Sequence, residues 1–304
     1  MKAIVCTKYG PPDVLQLKEV EKPIPKNKEV LINIFATAVT ASDCIIRGFK
    51  LPVWQPMGLL MGLALGFTKP RQPILGMVFA GEVESVGKDV KSFAKGDPVF
   101  GWDRFVFGTY AEYKCMPEDG ILAIKPNNVN DEEAAAALFG GLLALHYLRK
   151  GNIQRVQKVL IYGASGAIGT SAVQLARYFG AEVTGVCSTG NLEMVKSLGA
   201  NKVIDYTKED FTNKGELYDF IFNAVGKRKT KLQCKKALTR NGKYITVDDG
   251  SPKIYINDLI LLKELVEAGK IKPVIDRIYP MEQMAEAHRY VDKGHKKGNV
   301  VITI

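Results

Sequence analysis

Hydrophobic and polar positions follow two regimes along the chain. From Met1 to about Lys125 the apolar residues come in short runs: AIVC (3–6), EVLINIFATAV (29–39), GEVESVG (81–87), DPVFG (97–101) and TYAEYKC (109–115). Turn formers at Pro11-Pro12, Pro23 to Lys28, Gly87-Lys88 and Gly96-Asp97 separate them, at the spacing of a twisted antiparallel barrel or sandwich.

After Asn127 the period changes. DEEAAAALFGGLLALHYLRK (131–150) carries acids at its start and bases at its end, as the dipole of a helix favours. VLIYGA, EVTGVC, KVIDY, YDFIFNAVG and GKYITVD then read as strands. TSAVQLARYFG, NLEMVKSLG and KLQCKKAL read as helices between them, with a loop and helix before YDFIFNAVG. Such alternation demands parallel strands with helices on both faces, a doubly wound α/β sheet. The tail, KPVIDRIY, a helix from Met281 to about Lys293 and a terminal VVITI, is expected to rejoin the first domain. The expected division is 1–126 and 271–304 as one domain, with 127–270 as the sheet domain.

A length of 304 residues suits two domains, and 46% hydrophobic with 24% charged residues excludes a disordered or fibrous chain. The net charge of +10 favours polyanionic or phosphorylated partners. The bases are scattered, however, apart from short clusters at Lys227 to Lys231 and Lys293 to Lys297. They form no stripe interleaved with aromatics, so no nucleic-acid partner is expected. Five cysteines, Cys6, Cys44, Cys115, Cys187 and Cys234, form no CxxC pair and read as free thiols. With no apolar stretch behind a basic N-terminus, the expected location is a reducing cytoplasm. The longest apolar run, Met57 to Phe67, is too short for a membrane span and reads either as a buried helix or as an apolar lid over a pocket.

The chemistry concentrates where VLIYGA runs through Ala164, Ser165, Gly166, Ala167, Ile168 and Gly169 into a helix. Small residues at 164 and 166 let backbone approach a diphosphate, Gly169 lets the helix pack on the strand, and the helix N-terminus offers free amides. Strand, turn, helix and second strand fall in order, so dinucleotide binding is expected. The second strand ends at Cys187 without the acid that an NAD-selective site places against the ribose. Ser188, Thr189 and Asn191 either receive a 2'-phosphate, favouring NADPH with NADH as the alternative, or simply cap the next helix.

Together with GDPVFG (96–101), GTYAEY (108–113), VIDY (203–206) and GHKKGNVVI (294–302), these residues resemble the medium-chain dehydrogenase/reductase superfamily, in its zinc-free quinone oxidoreductase-like branch. The resemblance runs from the first strand to the last. It implies a GroES-like β-barrel catalytic domain, a Rossmann domain, a cleft between them and usually a homodimer. It places the turn 164–169 on the pyrophosphate and Ser188, Thr189, Asn191 and Tyr206 at the adenosine 2'-phosphate. Asn223, Ala224 and Val225 fall on the nicotinamide side, and Lys297 and Asn299 close over the cofactor. For Lys297 a plain charged turn is the alternative.

In the alcohol dehydrogenase branch a Cys in a C-x-T-D context and a His before Glu bind zinc. Here Thr40 and the pair Met77-Val78 stand at those places, so no metal is expected. Without a Lewis acid, hydride addition to a quinone or an α,β-unsaturated carbonyl is the expected reaction on a small-molecule substrate, in a pocket formed partly by residues 47–70. Thr40 and Ser42 are the candidate catalytic hydroxyls, the alternative being a helix start capped by Ser42 or Asp43. A cofactor-binding sensor or scaffold protein and a zinc-free alcohol or carbonyl oxidoreductase are the rival functions. Three departures from the family pattern stand out: Leu143 where relatives often carry Thr, Gly190 where Arg is common, and only Asp249 to Pro252 between GKYITVD and KIYIN. So short a link cannot join adjacent parallel strands. It reads as a hairpin turn, with the usual dimer seam altered or absent.

Overall fold

The computed structural model describes all residues except 50–55, 104–105, 214, 227–231 and 233. The chain divides into two compact units, Met1–Leu138 with Ile275–Ile304, and Phe139–Val274.

In the first unit β1 (Lys2–Cys6) pairs antiparallel with β2 (Leu15–Glu19). The remaining strands, β3 (Glu29–Val39), β4 (Val78–Val86), β5 (Pro98–Trp102), β6 (Tyr113–Pro117), β7 (Ile121–Ile124), β13 (Ile275–Pro280) and β14 (Asn299–Thr303), form one sheet in the order β13-β14-β3-β4-β5-β7, with β6 also on β3. Its pairs are antiparallel except β13 with β14. Val30, Ile32, Ile34, Phe79, Val83, Val99, Met116 and Leu122 point into one buried cluster, the inward half of the alternation. This is the expected GroES-like architecture. Strands β2 and β7 escaped the hydrophobic pattern because β2 buries only Leu15, and β7 only Leu122. Helix α1 (Ala41–Arg47) follows β3 directly, and α2 (Pro56–Leu65) covers the apolar run.

Helix α3 (Asp131–Gly151) begins in the first unit, held by the Lys125–Asp131 ion pair at 2.7 Å. The division between the two units falls within this helix, between Leu138 and Phe139. In the second unit β8 (Lys158–Tyr162), β9 (Glu182–Cys187), β10 (Lys202–Asp205), β11 (Tyr218–Asn223) and β12 (Leu238–Thr246) form a parallel sheet in the order β10-β9-β8-β11-β12. Helices α4 (Ala167–Tyr178), α5 (Leu192–Ser197) and α6 (Ile256–Glu267) accompany it. The order is that of a doubly wound Rossmann sheet.

Two expectations fail here. The segment KIYIN is not a strand and no hairpin forms. The Tyr255 amide donates to Asp258 Oδ2 at 3.0 Å, which starts α6 at Ile256, and β12 is left as an edge. Arg240 and Lys243 lie exposed on that edge, a charge pattern that discourages strand addition. Between β10 and β11 only a short 3₁₀ turn, Phe211–Asn213, appears among the described residues in place of the expected helix. Asp210 Oδ1 accepts from both the amide and the hydroxyl of Thr212, a local bond that competes with helix. The helix expected over KLQCKKAL and the cluster at 227–231 lie partly or wholly outside the described residues.

The last helix, α7 (Met284–Asp292), packs on α1 and carries His288 to the centre of the first unit. Arg47, 1% exposed, donates to Gly10 O (3.2 Å), to His288 Nδ1 (3.2 Å) and to Asp292 Oδ2 (2.6 Å). Since Arg47 can only donate, Nδ1 accepts, and Nε2–H faces the Tyr110 hydroxyl at 3.2 Å. Burial, reinforced by the Arg47 charge, pushes the His288 pKa down to about 3. The native state thus holds His288 neutral while the unfolded chain takes up a proton below about 6.5, so this group removes stability as pH falls from about 6.5 towards 3. His288→Gln should flatten that acid limb in urea titrations run across pH. Arg47→Ala should lower the unfolding free energy by about 3–5 kcal/mol, because it strips partners from buried polar groups.

Candidate dinucleotide site

The turn from β8 to α4 is built from backbone contacts that side chains would block. Gly163 has φ +81°, and both its amide and that of Ala164 donate to Val186 O at 3.0 Å, locking the turn to β9. A Cβ on Gly169 would lie 2.1 Å from Gly163 O, so only glycine lets the first turn of α4 rest on the end of β8. A Cβ on Gly140 would meet Ala167 O at 2.2 Å, which brings α3 equally close to the start of α4. Gly166 differs. A Cβ there meets only Gly163 O, at 3.7 Å, so the space above it is open.

Gly166 is the N-cap of α4 and supplies no side-chain bond, so the first-turn amides of Ala167, Ile168 and Gly169 point out uncapped. Helix N-termini of this kind hold anions. Ala164 is completely buried with its amide already bonded, so it shapes the turn and offers no group to a ligand. Ser165 sits between them, partly exposed.

At the end of β9 the structure adds a residue that the sequence reading did not single out. Asp205, at the end of β10, lies in register with Cys187 and accepts hydrogen bonds from the hydroxyls of Thr189 and Thr207 and, at 3.0 Å, from the Thr207 amide. The Thr189 and Thr207 bonds hold its carboxyl below the usual range, so Asp205 stays ionised. The Thr189 hydroxyl is therefore committed to a carboxylate. Asn191 is buried, donates to Ser188 Oγ at 3.1 Å and keeps its Oδ1 without a hydrogen-bond partner. Of the expected 2'-phosphate group, Ser188 keeps a proton to donate, and Tyr206 stands exposed beside Tyr162. A Cβ on Gly190 meets nothing within 4 Å. The one readable signal for Asp205 was VIDY itself, but nothing in the sequence said that β10 would end level with β9.

Asn223 is fully buried, with Nδ2 on the Tyr244 hydroxyl (2.9 Å) and Oδ1 accepting from the amides of Val225 (2.9 Å) and Gly226 (3.3 Å). Its side chain builds the turn after β11, with both lone pairs of Oδ1 taken by that turn and one Nδ2 proton on Tyr244. The Ala224 amide donates to Tyr162 O, and Val225 is exposed; a Cβ on Gly163 would strike its Cγ2 at 2.5 Å, so this turn sits against the phosphate turn.

In the first unit Thr40 is the N-cap of α1. Its Oγ1 accepts from the Asp43 amide (3.2 Å) and donates to Asp43 Oδ2 (2.6 Å), so the cap is Thr40 rather than Ser42 or Asp43. Burial raises the Asp43 pKa to about 6, against the opposing pull of its Thr40 bonds. Ser42 is partly exposed. Met77 and Val78 are buried. Lys297 is exposed and gives its amide to Asp276, whereas the neighbouring Lys296 turns its amine inward to Gly298 O at 2.5 Å, where burial lowers its pKa to about 8. Asn299 is buried at the start of β14.

Comparisons with known proteins place these elements in a family. Residues 26–126 match the alcohol dehydrogenase GroES-like domain, and 167–276 and 254–302 match two zinc-binding dehydrogenase models. The chain is 33% identical over 328 residues to the 2-methylene-furan-3-one reductase of Solanum lycopersicum, covering 99% of this chain and 79% of that protein. The chain belongs to the medium-chain dehydrogenase/reductase superfamily. Within it the likeness is to the quinone oxidoreductase-like branch. The NADPH-dependent alkenal/one oxidoreductase of Arabidopsis thaliana is 30% identical over 99% of this chain and 79% of its own length. The quinone oxidoreductase structure from Coxiella burnetii superposes with a TM-score of 0.89 at 27% identity, over 100% of this chain and 99% of that one.

As a superfamily member the chain has a nicotinamide cofactor to hold, and the uncapped α4 start beside an open Gly166 fits its diphosphate. Gly169→Ala should cost about 2 kcal/mol in chemical unfolding, because the new methyl must displace backbone rather than a pliable side chain.

Proposed function

We propose that this chain is an NADPH-dependent reductase of quinones or α,β-unsaturated carbonyls that works without zinc. The observation that carries the reading is the glycine-built turn at the start of α4, whose free amides suit a diphosphate. The reductase and quinone oxidoreductase activities for which the tomato, Arabidopsis and Coxiella relatives are named supply the substrate class. In this reading the first unit is the catalytic domain and the second the dinucleotide-binding domain.

When bound, the dinucleotide supplies a hydride. Ala167, Ile168 and Gly169 hold its diphosphate through their amides, Ser188 and Tyr206 serve the adenosine end, and the turn built by Asn223 shapes the nicotinamide side. Ser42 keeps a hydroxyl for the oxygen that gains charge as the acceptor is reduced. Thr40 works differently, since it passes a proton only together with Asp43, whose pKa near 6 lets it exchange one close to neutrality.

Zinc has no place in this scheme because of the donors themselves. Thr40 is a neutral hydroxyl tied into a helix cap, Met77 is a buried thioether, and neither is a zinc ligand of the usual N, S⁻ or carboxylate kind. The margin for NADPH over NADH is narrow, because the Asp205 carboxylate stands beside Thr189 and no arginine occupies position 190.

Stopped-flow or steady-state assays should show NADPH oxidation by a quinone or enone at a rate unchanged by a strong chelator. A rate that fell with chelation and returned with added zinc would count against the proposal. Gly190→Arg, entering open space, should tighten NADPH by about tenfold, or about 1.4 kcal/mol, and leave NADH where it was. Titration of cofactor fluorescence reads both.

A further inference from the structure

Helix α2 inverts the usual arrangement of a surface helix. Pro56–Leu65 reads PMGLLMGLAL, with no side chain that carries a charge or a hydrogen-bonding group. At 100° per residue, Gly58, Gly62 and Leu65 share one side, and the glycines there are buried. Leu59, Leu60, Leu63 and Ala64 share the opposite side, and all four are exposed, Leu60 to 60%. A helix that only packs on its own domain turns leucine inward and leaves its polar residues to water. Here the glycine side is the buried one and the leucines face out. Phe67, also exposed, folds its ring over Gly62, where a Cβ would meet its Cε1 at 2.6 Å, and so covers the glycine side rather than the leucine face.

The carbonyls at the end of the helix find partners within the protein. The Tyr9 hydroxyl lies 2.9 Å and 2.8 Å from the carbonyl oxygens of Leu65 and Gly66. Gly66, at φ +95°, turns the chain so that its own amide bonds Gly62 O and the Arg71 amide bonds Leu65 O, both at 2.8 Å. Carbonyls that would otherwise need water are satisfied within the protein, as an apolar phase requires. Tyr9 packs on Phe49 with the rings tilted by 33° (4.6 Å), and Phe49 meets Phe67 edge-on (6.2 Å), so the anchor is aromatic.

Charge selects the occupant. Between Asp43 and Glu82 the sequence has no acidic residue, and Lys69 and Arg71 stand exposed directly after the helix, on a chain of net charge +10. A leucine face with bases at one end and no acid nearby complements an anionic lipid surface. We propose that α2 docks this protein on the surface of an anionic bilayer, lying flat with Leu59, Leu60 and Leu63 among the upper acyl chains and Lys69 and Arg71 at the phosphates. Among the described residues no helix is long and apolar enough to cross a membrane, so the contact is peripheral. It places the chain where lipophilic acceptors concentrate, but it does not rest on the reductase reading: vesicle binding without NADPH turnover would count against that reading alone.

The test is flotation of the purified full chain with phosphatidylcholine vesicles, with and without about one-third phosphatidylglycerol. The parent chain should float with the anionic vesicles and much less with the neutral ones. Leu60→Glu/Leu63→Glu should lower the bound fraction by about tenfold or more while the far-UV spectrum and melting midpoint stay unchanged. If that pair disturbs the fold, Leu60→Gln alone should show the same direction. Lys69→Glu/Arg71→Glu should erase the difference between the two vesicle types. No flotation of the parent chain, or equal flotation of the parent and the leucine variants, would overturn the proposal. So would a dimer that the leucine variants dissociate in the absence of lipid binding, since the face would then belong to a second copy.

Discussion

A helix can offer its first amides to an anion only if nothing inside the protein takes them first. In the second unit this constraint falls on two glycines with different tasks. Gly169 lets α4 start against the carbonyl of Gly163, an approach that any side chain would prevent. Gly166 caps the helix without supplying a bond of its own, so the amides behind it stay open. The surrounding elements hold that turn in place: β9 accepts its two leading amides, α3 closes on it through Gly140, and the Asn223 turn packs over Gly163 through Val225. The dinucleotide reading stands on this backbone arrangement more than on any side chain.

The first unit is organised by a different interaction. Arg47 and His288 come from helices far apart in the chain, and their contact ties α1, α7 and the Tyr110 loop around a buried polar centre. That centre explains why the C-terminal segment completes the N-terminal sheet: β14 pairs with β3, and α7 brings the one histidine that Arg47 needs. It also holds Asp43 and Thr40 in a closed cap, which changes the chemistry available there. A hydroxyl that looks free in the sequence is bound to a carboxylate with a pKa near 6, and its neighbour Ser42 is the one left partly exposed.

Sequence reasoning was most dependable where one local pattern implied one structure. The run VLIYGASGAIGT could be read because strand, tight turn and helix each leave their own period, and the parallel character of the sheet followed from alternation. It was least dependable where a choice depended on a distant partner. KIYIN has the composition of a strand, but Asp258 three residues beyond Tyr255 turns it into the entry of a helix. The internal partners of Thr189 and Asn223, Asp205 for the first and Tyr244 and its own turn for the second, could not be read from position along the chain. Of the lysine pair at 296–297, only packing decides which amine turns inward.

The sequence by itself determined the two-domain plan, the glycine turn and the family, because periodicity and backbone-demanding glycines are local properties that survive without neighbours. Tertiary structure alone decided which polar side chains remain free. A hydroxyl or amide is available to a ligand only after the fold has taken its own hydrogen bonds, and those partners, such as Asp205 for Thr189 or His288 for Arg47, lie 16 and 241 residues away. The outward leucines of α2 belong to the same class. Their number is written in the chain, but which side of α2 is left exposed only the fold shows.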